Sequence, residues 1–377
     1  MIRLFLLGWF CPVLALAQST AGIEDLLAAG AQKEKKGDYA GAITDYDQAL
    51  RRKPNAAAAL YHRGVAEIGA SRFAAARADL TKAIDAEPVN STAYFMRGLA
   101  EGSGKDYTAA SRDFTEALRL NPKFFQALTA RGDAFQDQDD LDDAIQDYNA
   151  ALVIEPKSPG ALTGRARAWA RKGEFARAIQ DNTEVLKANP RHTVALKYRA
   201  YDYLLSDRYA EARVDLGQLV VLEPANADYH ELMADISNLL GDYAAAVPEY
   251  QRAAWLGSAN DYAKLNLYVL QWRLGNRPKP AGAAPAAGPD TWVSRLWDLL
   301  GARVGADDLS ALLEQQAAGD TRYEQRKCSL NYYAGMIELI HGNKDTARAY
   351  FEKSLAANAA LTEEYHFAKA ELARLGR

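Results

Sequence analysis

Small and apolar residues recur along most of this chain at one constant interval, the interval that separates Gly30 from Gly64. A small residue begins the pattern, at Gly30, Gly64, Gly98, Gly132, Ala166 and Ala200. An alanine follows in each copy, at Ala42, Ala76, Ala110, Ala144, Ala178 and Ala212. A bulky apolar side chain comes four positions later, at Tyr46, Leu80, Phe114, Tyr148 and Leu216, with Asn182 as the exception. Because residues four apart share one helix face, we expect helix pairs in which the small residue lets the second helix approach closely.

Prolines mark the end of each copy, at Pro54, Pro88, Pro122, Pro156, Pro190 and Pro224. Proline cannot continue a helix, so each second helix is predicted to stop there and the chain to turn into the next copy. The six complete repeats are 23–56, 57–90, 91–124, 125–158, 159–192 and 193–226. A seventh, 227–260, keeps Ala234, Ala246 and Tyr250 but has Ser258 in place of the proline.

This repeat resembles the tetratricopeptide repeat (TPR), a helix-turn-helix unit of the same length. The segment from Tyr39 to Leu50, followed by Pro54, is similar to the second helix of that family and its exit. One hairpin cannot bury its own apolar face, whereas stacked hairpins share one continuous core. The resemblance implies an all-α fold, a right-handed superhelical solenoid of stacked helix-turn-helix TPR units with an atypical helical C-terminal cap.

The resemblance also implies a binding surface on the concave side, where five positions of each first helix face a groove. Carried over to this chain, the predicted partner-binding residues are Tyr61, Val65, Ile68, Phe95, Leu99, Asp133, Gln136, Arg167, Arg171, Lys197 and Tyr201. The same positions of the seventh repeat are acidic and polar, and include Glu231, Asp235 and Asn238. The predicted groove residues are apolar in the second and third repeats and of mixed charge in later repeats. This order favours a peptide or protein partner over a small metabolite. The alternative for the aromatic residues is that they are partly exposed core.

A second periodic feature pairs arginine with aspartate. Arginines recur at Arg63, Arg97, Arg131, Arg165 and Arg199, and aspartates at Asp45, Asp79, Asp113, Asp147, Asp181 and Asp215. Each arginine precedes an aspartate by the same offset, as Arg63 precedes Asp79, which places the two on different helices of one hairpin. An ion pair that fixes the hairpin is the favoured interpretation, and a row of arginines lining the groove is the alternative.

The N-terminal segment 1–17 differs from the rest of the chain. Arg3 precedes an apolar run from Leu4 to Leu16, and the small-x-small motif Ala15-Leu16-Ala17 predicts cleavage before Gln18. This pattern predicts a secretory signal peptide at 1–17, followed by a short tether at 18–22, and hence a periplasmic protein. The residues around Cys11 match a lipid-attachment site poorly. A membrane-anchored lipoprotein is therefore only the alternative to a periplasmic protein.

The repeats are predicted to cover 23–275 as seven copies and one extra helix, 262–274. A Pro/Ala/Gly-rich linker is expected at 276–290. The region 291–377 is predicted to contain helices at 291–300 and 306–316, one degenerate repeat around Gly335 and Phe351, and a capping helix at 363–375.

This C-terminal region is similar to the tail of new lipoprotein I, a family of bacterial envelope scaffolds. The similarity rests on Trp292, Trp297, Leu312-Leu313, Asn331-Tyr-Tyr-Ala-Gly335, Ile340-His-Gly-Asn-Lys-Asp-Thr-Ala347, Tyr350-Phe-Glu-Lys-Ser-Leu355 and Glu364-Tyr-His-Phe-Ala-Lys-Ala-Glu-Leu-Ala-Arg-Leu-Gly376. The resemblance implies an adaptor for partners such as cell-wall hydrolases or a periplasmic protease. This chain departs from the family in its poor lipid-attachment site and its more regular repeats.

Composition narrows the classes of function. Charged residues make up 25% of the chain and the formal net charge is −4, while the mean hydropathy is −0.30. The chain has no surplus of basic residues that would favour binding to nucleic acid. No integral membrane segment is expected outside the signal peptide. The five histidines form no metal motif and Cys328 stands alone outside the signal peptide, so no catalytic residue, metal or cofactor is predicted.

Three hypotheses about function follow. The first is a non-catalytic scaffold that binds a peptide or protein partner. The second is an enzyme or cofactor site within 276–327, a segment with few suitable polar groups. The third is a self-associating structural protein in which the helix of Trp292 and Trp297 forms a homodimer contact.

Overall fold

The computed structural model describes residues 22–257, 261–276 and 292–376, the last range without 303, 318, 319, 321, 358, 360 and 361. The predicted signal peptide, the tether up to residue 21 and positions 277–290 of the predicted linker lie outside the described residues. Twenty α-helices and no β-strand occur in the part of the chain that is described. The chain forms two compact units, Met1–Pro156 and Lys157–Arg377, which we call unit 1 and unit 2.

Unit 1 consists of four helical hairpins that pack in sequence order. Its helices are α1 Ile23–Lys35, α2 Tyr39–Arg52, α3 Ala57–Gly69, α4 Phe73–Ala86, α5 Ser91–Ser103, α6 Tyr107–Leu120, α7 Phe125–Asp137 and α8 Leu141–Ile154. Each second helix ends shortly before the repeat proline, as the repeat pattern predicts.

The small residue of each first helix lies against the bulky residue of its own second helix. A Cβ atom added to Gly98 would lie 2.6 Å from the Phe114 ring, and one added to Gly64 would lie 2.7 Å from Leu80 Cγ. Both distances are shorter than any ordinary carbon–carbon contact. The prediction that small residues permit the close approach of the two helices is therefore confirmed.

Unit 2 continues with three hairpins and then changes pattern. Its helices are α9 Pro159–Arg171, α10 Phe175–Ala188, α11 Thr193–Leu205, α12 Tyr209–Leu222, α13 Ala227–Leu239, α14 Tyr243–Leu256, α15 Asp261–Arg273, α16 Trp292–Leu300, α17 Ala306–Gln316, α18 Tyr323–His341, α19 Lys344–Ala356 and α20 Glu363–Leu375. The predicted helices at 306–316 and 363–375 have the observed bounds. In the seventh repeat, Gly257 ends α14 in the left-handed conformation (φ 85°), just before the place of a proline.

Helices α16 and α18 contact α15, the predicted extra helix. The Trp297 ring of α16 meets the Tyr268 ring at 5.5 Å between centroids, and the Tyr333 hydroxyl of α18 donates to Asn266 Oδ1 at 2.8 Å. The pair α18–α19 repeats the hairpin contact, since a Cβ on Gly335 would lie 2.6 Å from the Phe351 ring. The contact lies where the sequence predicts a degenerate repeat.

The periodic arginines and aspartates form ion pairs across the hairpins. Arg97 binds Asp113 through Nε and Nη2, at 2.6 and 2.7 Å, and Arg199 binds Asp215 in the same two-pronged way at 2.7 Å. The same pairing joins Arg63 to Asp79, Arg131 to Asp147 and Arg165 to Asp181. The structural interpretation of these residues is therefore confirmed.

Most of these arginines also reach the preceding second helix. Arg97 Nη1 donates to Thr81 Oγ1 at 3.2 Å, and Arg199 Nη1 donates to Thr183 Oγ1 at 3.0 Å. One guanidinium thus links the two helices of its own hairpin and the hairpin before it. Such planar, two-pronged contacts are the strong form of a charged hydrogen bond.

Candidate functional site

A cavity of about 690 Å³ opens between α9, α10 and α11 in unit 2. It contains four of the predicted partner-binding residues, Arg167, Arg171, Lys197 and Tyr201. Tyr198, Phe175, Leu205 and the buried Asp202 complete most of its lining. We call this cavity the basic groove. These four residues were predicted from their repeat positions on two different helices, α9 and α11. The structure places all four in one cavity.

The basic groove combines positive charge with aromatic surface. Arg167 and Arg171 lie four residues apart on α9, and Lys197 and Tyr201 lie four apart on α11, so each pair occupies one face of its helix. Lys197 and Arg171 are exposed, and Tyr201 is 39% exposed. Arginine binds carboxylates in a two-pronged geometry, and tyrosine offers a rigid apolar ring with one polar end. The groove can therefore bind a carboxylate and an apolar side chain at the same time.

Asp202 forms part of the groove wall but is shielded from water. Its carboxylate accepts a hydrogen bond from Asn182 Nδ2 at 3.4 Å. Burial raises the pKa of Asp202 to about 7, an effect that the hydrogen bond from Asn182 only partly offsets. This aspartate is consequently only partly ionised near neutral pH, and the groove keeps most of its positive character. Asp202 falls outside the groove positions that were predicted from the sequence.

The predicted residues of unit 1 are divided between surface and core. Leu99 and Asp133 line a smaller cavity of about 320 Å³. The side chains of Tyr61, Val65 and Ile68 are half-buried, and Tyr61 and Ile68 pack against the hydrophobic core.

Two predicted groove residues of unit 1 are buried. The Phe95 ring packs against Phe114 and Phe124. Gln136 is only 1% exposed and donates a hydrogen bond to the Tyr148 hydroxyl at 2.6 Å. Placing the Phe95 and Gln136 side chains in an open groove was therefore wrong. For Phe95, packing in the core is the alternative that the sequence left open.

The inner face of the seventh repeat is covered by the C-terminal helix. The positions Glu231, Asp235 and Asn238 of α13 were expected to face the groove, and all three are buried. Helix α20 packs against α13 as well as against α18 and α19. Arg374 of α20 donates to the carbonyl oxygens of residues 238 and 239 at 2.9 and 2.7 Å. The expected cap therefore also fills part of the predicted binding surface.

Cys328 is a buried packing residue of α18. Its Sγ lies 3.2 Å from Ser354 Oγ, and burial raises the pKa of the thiol. A raised pKa keeps the sulfur in its unreactive thiol form, in agreement with the predicted structural role. Within the residues described, no helix is long and apolar enough to cross a membrane.

Comparison with protein families confirms the nature of the repeats. The family model for the tetratricopeptide repeat matches residues 27–91, 66–122, 95–161 and 129–193. These overlapping matches show that residues 27–193 are built from tetratricopeptide repeats. Proteins with this repeat typically mediate protein–protein interactions, and the fold typically serves as a non-catalytic scaffold.

Solved structures of bacterial repeat proteins share the fold. A tetratricopeptide repeat protein from Parabacteroides merdae is 21% identical, with a TM-score of 0.51 over 66% of this chain and 98% of its own. The C-terminal part of a TPR repeat-containing protein from Cytophaga hutchinsonii is 17% identical, with a TM-score of 0.53 over 64% of this chain and 99% of its own. These likenesses show the solenoid fold alone. A comparison with curated proteins finds no match.

Proposed function

We propose that this protein is a non-catalytic scaffold that binds a peptide or protein partner in the basic groove. The observation that carries the proposal is the convergence of Arg167, Arg171, Lys197 and Tyr201 on one cavity. The cavity is open to solvent along two first helices, and its volume of about 690 Å³ accommodates several side chains of a ligand.

The chemistry of the groove defines the partner. Three cationic side chains and two tyrosines favour an extended segment that carries carboxylates next to an apolar or aromatic residue. Complementary charge increases the rate of encounter and discriminates against basic segments. We therefore expect binding that weakens as the salt concentration rises.

The cellular setting is part of the proposal. The predicted signal peptide at 1–17 supports a location in the periplasm of a bacterial cell envelope, and the C-terminal similarity to new lipoprotein I supports partners such as cell-wall hydrolases or a protease. Lipid attachment at Cys11 is the alternative, which would anchor the protein to the membrane. Fractionation of cells that express the full chain tests this point, and recovery in the cytoplasm would contradict it.

The binding proposal is tested by reversing two charges of the groove. We expect the double variant Arg167→Glu/Lys197→Glu to lower the affinity for an acidic, aromatic-containing peptide, or for a partner crosslinked in envelope extracts, by tenfold or more. The matched control is Lys187→Glu, which changes an exposed lysine of α10 that pairs with the exposed Glu184. Equal affinity of the double variant, the control and the unchanged protein in calorimetry would contradict the proposal.

Self-association is a second candidate, favoured by an apolar pair on the second helices. Val221 of α12 and Trp255 of α14 are 79% and 73% exposed and occupy equivalent positions of consecutive repeats. The tryptophan helix α16 is a poorer contact because it buries Leu296, Leu299 and Leu300 and packs Trp297 against Tyr268 within unit 2. Sedimentation velocity of Val221→Ser/Trp255→Ser decides between the two surfaces, since a dimer that persists in this variant excludes the pair.

A further inference from the structure

Three carboxylates meet where the C-terminal helix crosses the inner face of α13. Glu231 and Asp235 of α13 and Glu363 of α20 each bring one oxygen to within 4.8 Å of the other two. Glu231 and Asp235 lie four residues apart and so project from one face of their helix. Both are buried, and Glu363 is half-buried. Packing between α13 and α20, rather than chance proximity on a surface, holds the three groups together.

One oxygen of this cluster is buried without a hydrogen-bond partner. Asp235 is 2% exposed, and its Oδ1 accepts a hydrogen bond from the Tyr250 hydroxyl. Its Oδ2 is shielded from solvent and receives no hydrogen bond from the described residues. A buried carboxylate oxygen in this state loses its hydration without compensation. A ligand that accepts electron pairs would supply the missing interaction.

The electrostatic surroundings of the cluster are acidic. Glu364, which follows Glu363 in α20, is a further buried carboxyl group at this contact. Groups at such close range remain buried together either by keeping their protons or by sharing a cation. A bound cation would also satisfy the orphaned oxygen of Asp235.

We propose that Glu231, Asp235 and Glu363 form a binding site for a hard divalent cation, with Ca²⁺ as the best fit, that fastens α20 to α13. The donor set consists of carboxylate oxygens without histidine or cysteine, which favours hard cations over Zn²⁺. Ligand oxygens of Ca²⁺ lie about 2.3–2.6 Å from the ion and hence up to about 5 Å from one another. Oxygens within 4.8 Å of one another can therefore share one Ca²⁺.

Cation binding would control how firmly the C-terminal helix covers the inner face of α13. The other polar contacts of α20 include the pair of Lys369 with Asp207 and the bonds from Arg374 to carbonyl oxygens of α13. These contacts do not touch the three carboxylates. The cation adds a separate link, because its removal restores repulsion between Glu363 of α20 and the acidic groups of α13. This role is independent of any partner in the basic groove.

Calorimetric titration of the chelator-treated full chain with CaCl₂, MgCl₂ and ZnCl₂ tests the proposal. We expect one equivalent of Ca²⁺ to bind and the melting temperature to rise with its concentration. Asp235→Asn and Glu363→Gln should each lower the Ca²⁺ affinity tenfold or more, because each removes one charged ligand while keeping the side-chain shape. The matched control Glu352→Gln changes an exposed carboxylate of α19 and should leave the affinity unchanged.

The outcomes separate a cation site from a protonated cluster. In chelator, at a pH high enough to ionise the three carboxyl groups, both neutralising variants should melt above the unchanged protein, since each relieves repulsion, and CaCl₂ should reverse that order. The proposal is overturned if the folded, unchanged protein binds neither Ca²⁺ nor Mg²⁺ at millimolar concentration. It is equally overturned if only Zn²⁺ binds, or if both variants bind Ca²⁺ as tightly as the control does.

Discussion

Helices α11 and α13 are the first helices of consecutive repeats, yet their inner faces differ in exposure to solvent. Lys197 and Tyr201 of α11 correspond to Glu231 and Asp235 of α13, one repeat later. The first pair lines the open basic groove, whereas the second pair is buried next to α20. The same position of a repeat can thus serve as a binding surface or as an interface within the chain. Whether α20 packs against the position decides which of the two roles it has.

The fastening of the two hairpins differs as well. In α11–α12 the Arg199–Asp215 pair joins the helices, but Met233 and Glu249 occupy these positions in α13–α14. Glu249 Oε2 instead lies 2.6 Å from His230 Nδ1. The seventh repeat has therefore exchanged the standard ion pair for contacts of its own.

The largest effect that tests this comparison is expected from Phe367→Ala in α20. Phe367 is buried, and its ring packs against Tyr332 of α18 at 5.6 Å between centroids. Truncation of a buried phenylalanine costs roughly 3–5 kcal/mol, so α20 should detach from α13. Hydrogen exchange should then accelerate in α13 and α20 but not in α11. The exposed change Ala373→Ser is the control, and unchanged protection of α13 would show that α20 does not cover it.

A smaller loss, of about 3 kcal/mol, is expected from Arg199→Ala. This change leaves Asp215 buried without its partner, and an uncompensated buried charge is costly. Chemical denaturation followed by circular dichroism measures the loss. The control Lys187→Ala removes an exposed ion pair of α10 and should change stability by less than about 0.5 kcal/mol. A loss no larger than that of the control would mean that the arginine pairs do not fasten the hairpins.

The smallest effect depends on pH and concerns a residue of α11 alone. Asp202 has a pKa of about 7, above its usual value because of burial, while Ile236 fills the equivalent position of α13. The stability linked to protonated Asp202 is complete below about pH 4 and is lost as the pH rises through 7.

Asp202→Asn should therefore melt close to the unchanged protein at about pH 4 and a few degrees above it at about pH 8. Thermal melts across that range in chelator measure the difference. A constant difference over the whole range would show that folding does not change the pKa of Asp202.

Most of the fold followed from local pattern. Arg97 and Asp113 could be paired from sequence because each repeat presents the same contact at the same offset. The bounds of α17 and α20 could be predicted because both helices are short and the sequence clearly marks the residue at which each begins. The burial of Gln136 was missed because its hydrogen bond to Tyr148 is a contact that the repeat pattern does not contain. The coverage of α13 was missed because capping was expected only at the end of the stack.

The sequence by itself determined the hairpins, their spacing and the chemical character of each inner position, since these depend on neighbours within one or two repeats. Only the tertiary structure decided which inner positions stay open. Tyr243 and Glu371, which lie far apart in the sequence, share a hydrogen bond, and no periodic pattern encodes such a contact. The place of α20 depends instead on the shapes and charges of α13, α18 and α19 after they have packed.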